Sequence, residues 1–122
     1  MAAFEYRQAL EIRDVFQLHA VRYLFIGKSG AIVLGYPDTT QESELFIEKS
    51  VVNCRGLVLS LRDLGFELTA LQMEGILRGK DFIQLKNGPV DLDLIFAPDG
   101  IERFPDAWAR RVDVDGFPGM QY

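Results

Sequence analysis

Apolar residues recur along the chain at two kinds of spacing, and together these predict an alternation of helices and strands. Spacings of three and four residues, as at Ala9, Ile12 and Phe16, are typical of amphipathic helices. Such spacing predicts helices at residues 4–20, 29–34, 51–64, 71–77 and 104–111. Short apolar or alternating runs predict strands at residues 21–26, 43–47, 66–70, 82–86, 90–96 and 112–114. This alternation indicates an α/β (α+β) fold, in which helices pack on a mixed β-sheet.

Cap and turn residues mark where several of these elements begin and end. Ser50 is a suitable N-cap for the third predicted helix. Asn87 and Gly88 lie between two β-rich runs, a combination that predicts a hairpin. Residues 98–100 (Pro-Asp-Gly) predict a further turn. Residues 116–122 carry no predicted element, and their abrupt end leads us to expect a chain shortened relative to its natural gene.

The composition is that of an ordinary folded domain. The chain has 122 residues, of which 48% are hydrophobic and 25% are charged. This length and this balance fit one domain with one core, so we assign residues 1–122 to a single domain. Disorder is not expected, because it needs low hydrophobicity joined to a high net charge.

Charge and residue counts exclude several classes of function. Thirteen Lys and Arg residues against eighteen Asp and Glu residues give a net charge of -5. An acidic surface repels phosphate backbones, so long nucleic acid is an unfavourable partner. The single cysteine and the single histidine exclude an internal disulfide and a site built from several imidazoles. The charged N-terminus and the short apolar runs predict a cytoplasmic protein without a membrane anchor.

Two pairs of acidic residues, Glu42/Glu44 and Asp91/Asp93, lie in predicted strands. Alternate side chains of a strand share a face, so each pair projects both carboxylates to one side. If the two strands are neighbours, four carboxylates converge, and they repel one another unless protons or cations intervene. Mg²⁺ takes oxygen ligands together with substrate phosphates, and two such ions suit a nucleotidyl transfer. The alternative interpretation places these acids on the solvent face of edge strands.

A glycine-containing turn follows the first predicted strand. Its sequence is Gly27-Lys28-Ser29-Gly30, and a short predicted helix follows it. Backbone N–H groups at a helix N-terminus attract anions, and glycine allows phosphate oxygens to approach closely. The spacing is not that of a Walker A loop. The segment alone is therefore compatible with an anion-binding turn or with an ordinary turn.

Taken in order, these features resemble the nucleotidyltransferase superfamily, which includes DNA polymerase beta and the minimal nucleotidyltransferases. Small bacterial members carry a "Gly-Gly … His-Gly-Tyr-Pro … Thr … Asp-x-Asp" run. The similar segments here are residues 23–27, Leu34-Gly35-Tyr36-Pro37, Thr40 and Glu42-Ser43-Glu44. Leu64-Gly65-Phe66 and the strand over residues 90–94 also stand where that family has a Leu-Gly-Phe segment and its third acid. The resemblance covers about residues 20–100.

The resemblance implies a reaction and a set of site residues. The reaction is transfer of a nucleoside monophosphate from a nucleoside triphosphate to a small-molecule or protein acceptor, with Mg²⁺ or Mn²⁺ as cofactor; a homodimer is compatible with it. The implied nucleotide-binding residues are Gly27, Lys28 and Ser29, and the implied metal ligands are Glu42, Glu44 and Asp91. Asp91 and Asp93 are rivals for the third acid, which helps to deprotonate the attacking hydroxyl.

Two features depart from the family pattern. Glu42 and Glu44 replace aspartates, which adds up to about 1.5 Å of reach to each carboxylate, although Mg²⁺ demands near-ideal geometry. Lys28 replaces a second Gly or Ser, and its ammonium either contacts a phosphate or pairs with Glu42 or Glu44 in place of a metal. The alternative function is therefore a catalytically inactive nucleotidyltransferase-fold module for binding or regulation. The resemblance to small members of the superfamily implies a toxin–antitoxin component as one example.

Overall fold

A computed structural model describes residues 4–96 and 103–120 of the chain. In this part of the chain the helices are α1 (Tyr6–Leu18), α2 (Gly27–Val33), α3 (Val51–Asp63), α4 (Ala70–Arg78) and α5 (Phe104–Ala109). The strands are β1 (Tyr23–Ile26), β2 (Glu42–Ile47), β3 (Phe82–Leu85), β4 (Asp91–Ile95), β5 (Val112–Val114) and β6 (Phe117–Gly119). The predicted α+β fold with helices on a mixed sheet is confirmed.

The six strands form one sheet in the order β3-β4-β2-β1-β6-β5. β3 and β4 form the hairpin predicted from Asn87 and Gly88, and β5 and β6 form a second antiparallel pair. β1 runs antiparallel to β2 and parallel to β6, and β2 runs parallel to β4. The parallel pairing of β2 with β4 decides where the acidic residues lie.

The two faces of the sheet are covered differently. On one face α1, α3 and α4 pack against the strands in the larger core, with Phe16, Leu57 and Ile76 fully buried. On the other face α5 packs over a smaller cluster that contains Phe46 and Phe104. The acidic residues of β2 and β4 lie on this second face, which is less covered by helices.

Several local predictions are confirmed and one is wrong. The Ser50 side chain accepts a hydrogen bond from the Asn53 N–H (3.2 Å), as expected of an N-cap. Residues 66–70 do not form the predicted strand, because Phe66 turns into the core with its N–H bonded to the Leu61 carbonyl (3.0 Å). Thr69 is the N-cap of α4, which begins at Ala70, the last residue of the predicted strand.

The structure also contains a strand that the sequence did not predict. β6 lies within the segment assigned no element, and it is held inside the sheet, next to the edge strand β5, by pairing with β1 and β5. The predicted turn at residues 98–100 lies outside the described residues. No helix in the described part of the chain is long and apolar enough to cross a membrane.

Candidate carboxylate site

The register of β2 against β4 brings the two acidic pairs side by side. Glu42 is opposite Asp91, and Glu44 is opposite Asp93. Because the strands are parallel and each pair alternates in phase, all four residues belong to the same face of the sheet. The condition on which the shared carboxylate site depended, neighbouring strands, is therefore met.

Residues 27–30, predicted as a turn ahead of a short helix, instead form the first turn of α2, which lies at the edge of this site. Glu44 is paired with Ile26, the last residue of β1, so its side chain stands beside the first residue of α2. Gly27 has φ +60°, and a Cβ atom there would lie 2.6 Å from Oε2 of Glu44. The Glu44 carboxylate thus occupies the space that the missing side chain of Gly27 leaves open. Burial raises the pKa of Glu44, and the neighbouring charge of Glu42 acts in the same direction.

The buried Ser29 side chain connects the first turn of α2 to β1 and β2. It is 1% exposed, and its hydroxyl donates to the Ile26 carbonyl (2.8 Å) and accepts from the Glu44 N–H (3.0 Å). These bonds hold the first turn of α2 against β2. Lys28, the next residue toward the N-terminus, is exposed.

Asp93 is the most buried of the four acids. It is 6% exposed, and one of its carboxylate oxygens (Oδ1) has no hydrogen-bond partner among the described residues. The pKa of Asp93 is raised to about 7, chiefly by burial and further by a hydrogen bond with Glu42 and by the Glu42 charge. Asp93 therefore keeps its proton at a pH at which an ordinary carboxylic acid has lost it.

Glu42 is held by two partners. The hydrogen bond with Asp93 lowers the pKa of Glu42 despite some desolvation, and the nearby charge of Lys86 lowers it further. The Lys86 ammonium lies 3.6 Å from Oε1 of Glu42. The ion pair that the sequence analysis allowed for Lys28 is thus formed by Lys86 instead, because Lys86 directly follows β3 in the hairpin that carries Asp91 and Asp93.

The donor chemistry of this face suits a hard divalent cation, but the present side-chain positions do not enclose one. Carboxylate oxygens are the ligand type that Mg²⁺ takes in proteins. This face has four carboxylates, and one of their oxygens, Oδ1 of Asp93, has no hydrogen-bond partner among the described residues. Within residues 4–96 and 103–120, however, no group of three acidic, histidine or cysteine side chains is arranged to hold a single ion. Glu42 faces Asp93 and Lys86, and Glu44 lies against Gly27. A proton on Asp93 and the ammonium group of Lys86 compensate two of the four acidic charges here.

Two residues near the acids were missed from the sequence. Gln84 is paired with Asp93 across β3 and β4, and its side chain lowers the pKa of the Asp93 carboxyl. Lys86 reaches Glu42 from the same hairpin. The alternation of Phe82, Gln84 and Lys86 could have placed both polar residues on the acidic face once the hairpin was predicted.

The chain has no match among known proteins that would identify it. No family model, no curated protein and no solved structure matches it. The case for a nucleotidyltransferase therefore depends on the residues of this chain, their order and their placement on the sheet.

Proposed function

We propose that this chain is a nucleotidyltransferase-fold protein that transfers a nucleoside monophosphate from a nucleoside triphosphate to a hydroxyl of a small-molecule or protein acceptor. In this reaction the acceptor oxygen bonds to the α-phosphorus, the α–β phosphoanhydride bond breaks, and pyrophosphate leaves. The observation that carries the proposal is the pairing of Glu42 with Asp91 and of Glu44 with Asp93 on one face of the sheet.

The residues have separate tasks under this proposal. Glu42, Glu44 and Asp91 would hold Mg²⁺ or Mn²⁺, which would neutralise the triphosphate charge and draw electrons from the reacting phosphorus. Gly27 would let the triphosphate approach the start of α2 once the Glu44 carboxylate has left the space beside Gly27, and Ser29 keeps that turn in place. Lys28 is exposed at the same turn, where its ammonium attracts the phosphates as a point charge.

Asp93 is the better candidate for accepting the proton of the acceptor hydroxyl. Its pKa of about 7 lies near the pH at which a general base works best. Asp91, the rival, is half-buried at the start of β4 and faces Glu42 across the strand pair. This division leaves Asp91 as a ligand and Asp93 as the base.

A second candidate function is a binding module that has lost catalysis. It is favoured by the contacts that already satisfy the acids: Lys86 with Glu42, Glu42 with Asp93, and Glu44 in the space beside Gly27. A triphosphate would have to displace the Glu44 carboxylate from that space. In a module of this kind the acidic face is structural, and another surface binds the partner.

Calorimetric titration with ATP, GTP, CTP and UTP, with and without Mg²⁺ or Mn²⁺, tests the proposal. Wild-type protein should bind at least one triphosphate only with the metal, and Glu42→Gln and Asp91→Asn should abolish that binding while the fold is retained. Glu74→Gln is the matched control, since Glu74 is an exposed glutamate on α4 that pairs with Arg78 (3.1 Å).

Label transfer from a triphosphate labelled on its α-phosphate separates the two candidates. Metal-dependent binding with transfer and pyrophosphate release supports the enzyme. Metal-dependent binding without transfer to protein or small hydroxyl acceptors supports the inactive module. A folded wild-type protein that binds no triphosphate in any of these conditions contradicts the proposed enzyme.

A further inference from the structure

A second candidate site lies at the opposite end of β1 from the acidic residues. A cavity of about 170 Å³ opens there between α1, the start of β1, the end of α5 and the β5–β6 hairpin. Its polar lining includes Arg13, Tyr23, Arg111 and Asp113. We propose that this cavity binds a small organic anion through a carboxylate or phosphate group.

The first argument is a buried hydroxyl without a partner. Tyr23 is 4% exposed, and its hydroxyl forms no hydrogen bond with any described residue. Burial raises the pKa of Tyr23, so the hydroxyl stays protonated and remains a donor. A buried donor left unsatisfied destabilises a folded protein, and an anionic ligand that accepts its hydrogen bond removes that penalty.

The second argument is a pair of guanidinium groups that line the same cavity and are held in place. Arg13 donates to the Asp115 carbonyl (2.8 Å), and its guanidinium carbon lies 5.1 Å from the centre of the Phe117 ring. Arg111 lies 3.9 Å from the centre of the Trp108 ring and donates to the Trp108 carbonyl (2.9 Å). Fixed guanidinium groups match carboxylate and phosphate oxygens and lose little freedom on binding.

The charge of the lining differs from that of the protein as a whole. The chain carries a net charge of -5. Each arginine of the lining is paired with one carboxylate: Arg13 lies 2.9 Å from Asp14, and Arg111 lies 3.2 Å from Asp113. The charges around the cavity therefore balance, and an anion meets less repulsion here than on the acidic remainder of the protein.

The size of the cavity and its apolar lining restrict the part of the ligand that lies outside the anionic group. The volume is close to that of cavities that accept a molecule about as large as benzene. Val21, Trp108 and Pro118 also line the cavity, so part of the ligand contacts apolar surface. An aromatic or short aliphatic acid, or a phosphate ester of similar size, fits both requirements better than free inorganic phosphate does.

The fluorescence of Trp108 gives a direct readout, because Trp108 is the one tryptophan in the sequence and lines the cavity. Wild-type protein is titrated with benzoate, phenyl phosphate, inorganic phosphate and the neutral analogue benzyl alcohol. Saturable changes with benzoate or phenyl phosphate, and none with benzyl alcohol, are expected. The stronger of the two anions identifies the preferred head group.

Three variants make the test specific. Tyr23→Phe removes only the unpartnered hydroxyl and should weaken anion binding about tenfold without lowering the melting temperature. Arg111→Gln should weaken it at least as much. Arg22→Gln is the matched control, because the Arg22 guanidinium carbon also lies near the Trp108 ring (5.3 Å) although Arg22 is not part of the lining.

Three results contradict the proposal. One is equal binding of benzyl alcohol and benzoate, which would make the cavity merely apolar. Another is the absence of any saturable change with millimolar anions in folded wild-type protein. An unchanged affinity in Tyr23→Phe, with anion binding otherwise present, contradicts the role assigned to the hydroxyl and places the anion elsewhere.

Discussion

Replacing Asp93 with asparagine should stabilise the protein, and more at alkaline pH than at acid pH. Asp93 is 6% exposed and lies beside Glu42 and Glu44 on the same sheet face. Its pKa is raised from the ordinary value of 3.8 to about 7, chiefly by burial. The folded state therefore binds a proton that the unfolded chain has already lost, so the free energy of unfolding falls as pH rises through this interval. Asparagine does not titrate, and its amide can still donate to Glu42.

The size of the effect follows from the pKa difference. A shift of about three units corresponds to a penalty of at most about 4 kcal/mol once Asp93 is ionised in both states. Between pH 5 and pH 8 the penalty grows only up to the folded-state pKa of about 7. This interval of about two pH units corresponds to an increase of about 2.7 kcal/mol. Solvent and Lys86 screen the partly exposed Glu42, so we expect about half of this difference, roughly 1.5 kcal/mol.

Urea unfolding at pH 5, 6, 7 and 8 measures this difference. The stability gain of Asp93→Asn over wild type should increase steadily to pH 7 and level off by pH 8. Asp91→Asn is the matched control, because Asp91 is half-buried two residues earlier on the same strand face. A gain that does not change with pH, or a loss of stability in Asp93→Asn at pH 8, would refute the assignment of a buried, protonated carboxyl to this position.

Other substitutions test the packing around the site. Gly30→Ala should lower the free energy of unfolding by about 3 kcal/mol, because a Cβ there would lie 2.4 and 2.7 Å from two main-chain oxygens. Gly35→Ala should cost only about 1 kcal/mol, since it meets no atom within 4 Å and is disfavoured by its φ of +96° alone; equal losses in urea unfolding would contradict this. Asn53→Ala should cost about 3 kcal/mol, because its amide bonds three main-chain groups at 2.7 to 3.0 Å; a loss under 1 kcal/mol would contradict that role. Lys86→Met should change stability by less than about 0.5 kcal/mol yet strengthen Mn²⁺ binding about threefold by freeing Glu42, as measured by calorimetry; weaker binding would mean that Lys86 does not compete with the cation.

The sequence predicted most of the fold where local chemistry determines it. Ser50 accepts the hydrogen bond expected of an N-cap, and the turn at Asn87 and Gly88 joins two antiparallel strands as expected. Val51, by contrast, is an apolar residue at the start of the helix predicted over residues 51–64, yet it is 62% exposed. The first turn of that helix extends beyond the core, a matter of tertiary placement that helical spacing does not reveal.

The elements that were missed depend on long-range pairing. β6 has only three residues, and it becomes a strand because β1 and β5 pair with it from both sides. Residues 66–70 have the composition of a strand, but the Thr69 capping box starts α4 there instead. At β6 long-range pairing forms a strand despite a low local β propensity, and at residues 66–70 a helix cap outweighs a high one.

The candidate sites differ in how far the sequence could reveal them. The alternation within each acidic pair was readable from the sequence, and the pairing of Glu42 with Asp91 needed only the assumption that the strands are neighbours. The Lys86 ion pair and the cavity at Tyr23 and Trp108 were not predicted. Both join segments far apart in the chain, and neither has a motif that marks it.

Paramagnetic broadening of amide NMR signals with substoichiometric Mn²⁺ tests the divalent-cation site that we propose between β2 and β4. Broadening should centre on residues 26–28, 42–44 and 91–93, spare Tyr23 and Trp108 at the other end of β1, and disappear in Glu44→Gln. Broadening spread evenly over the acidic surface, or centred away from these strands, would contradict a shared site.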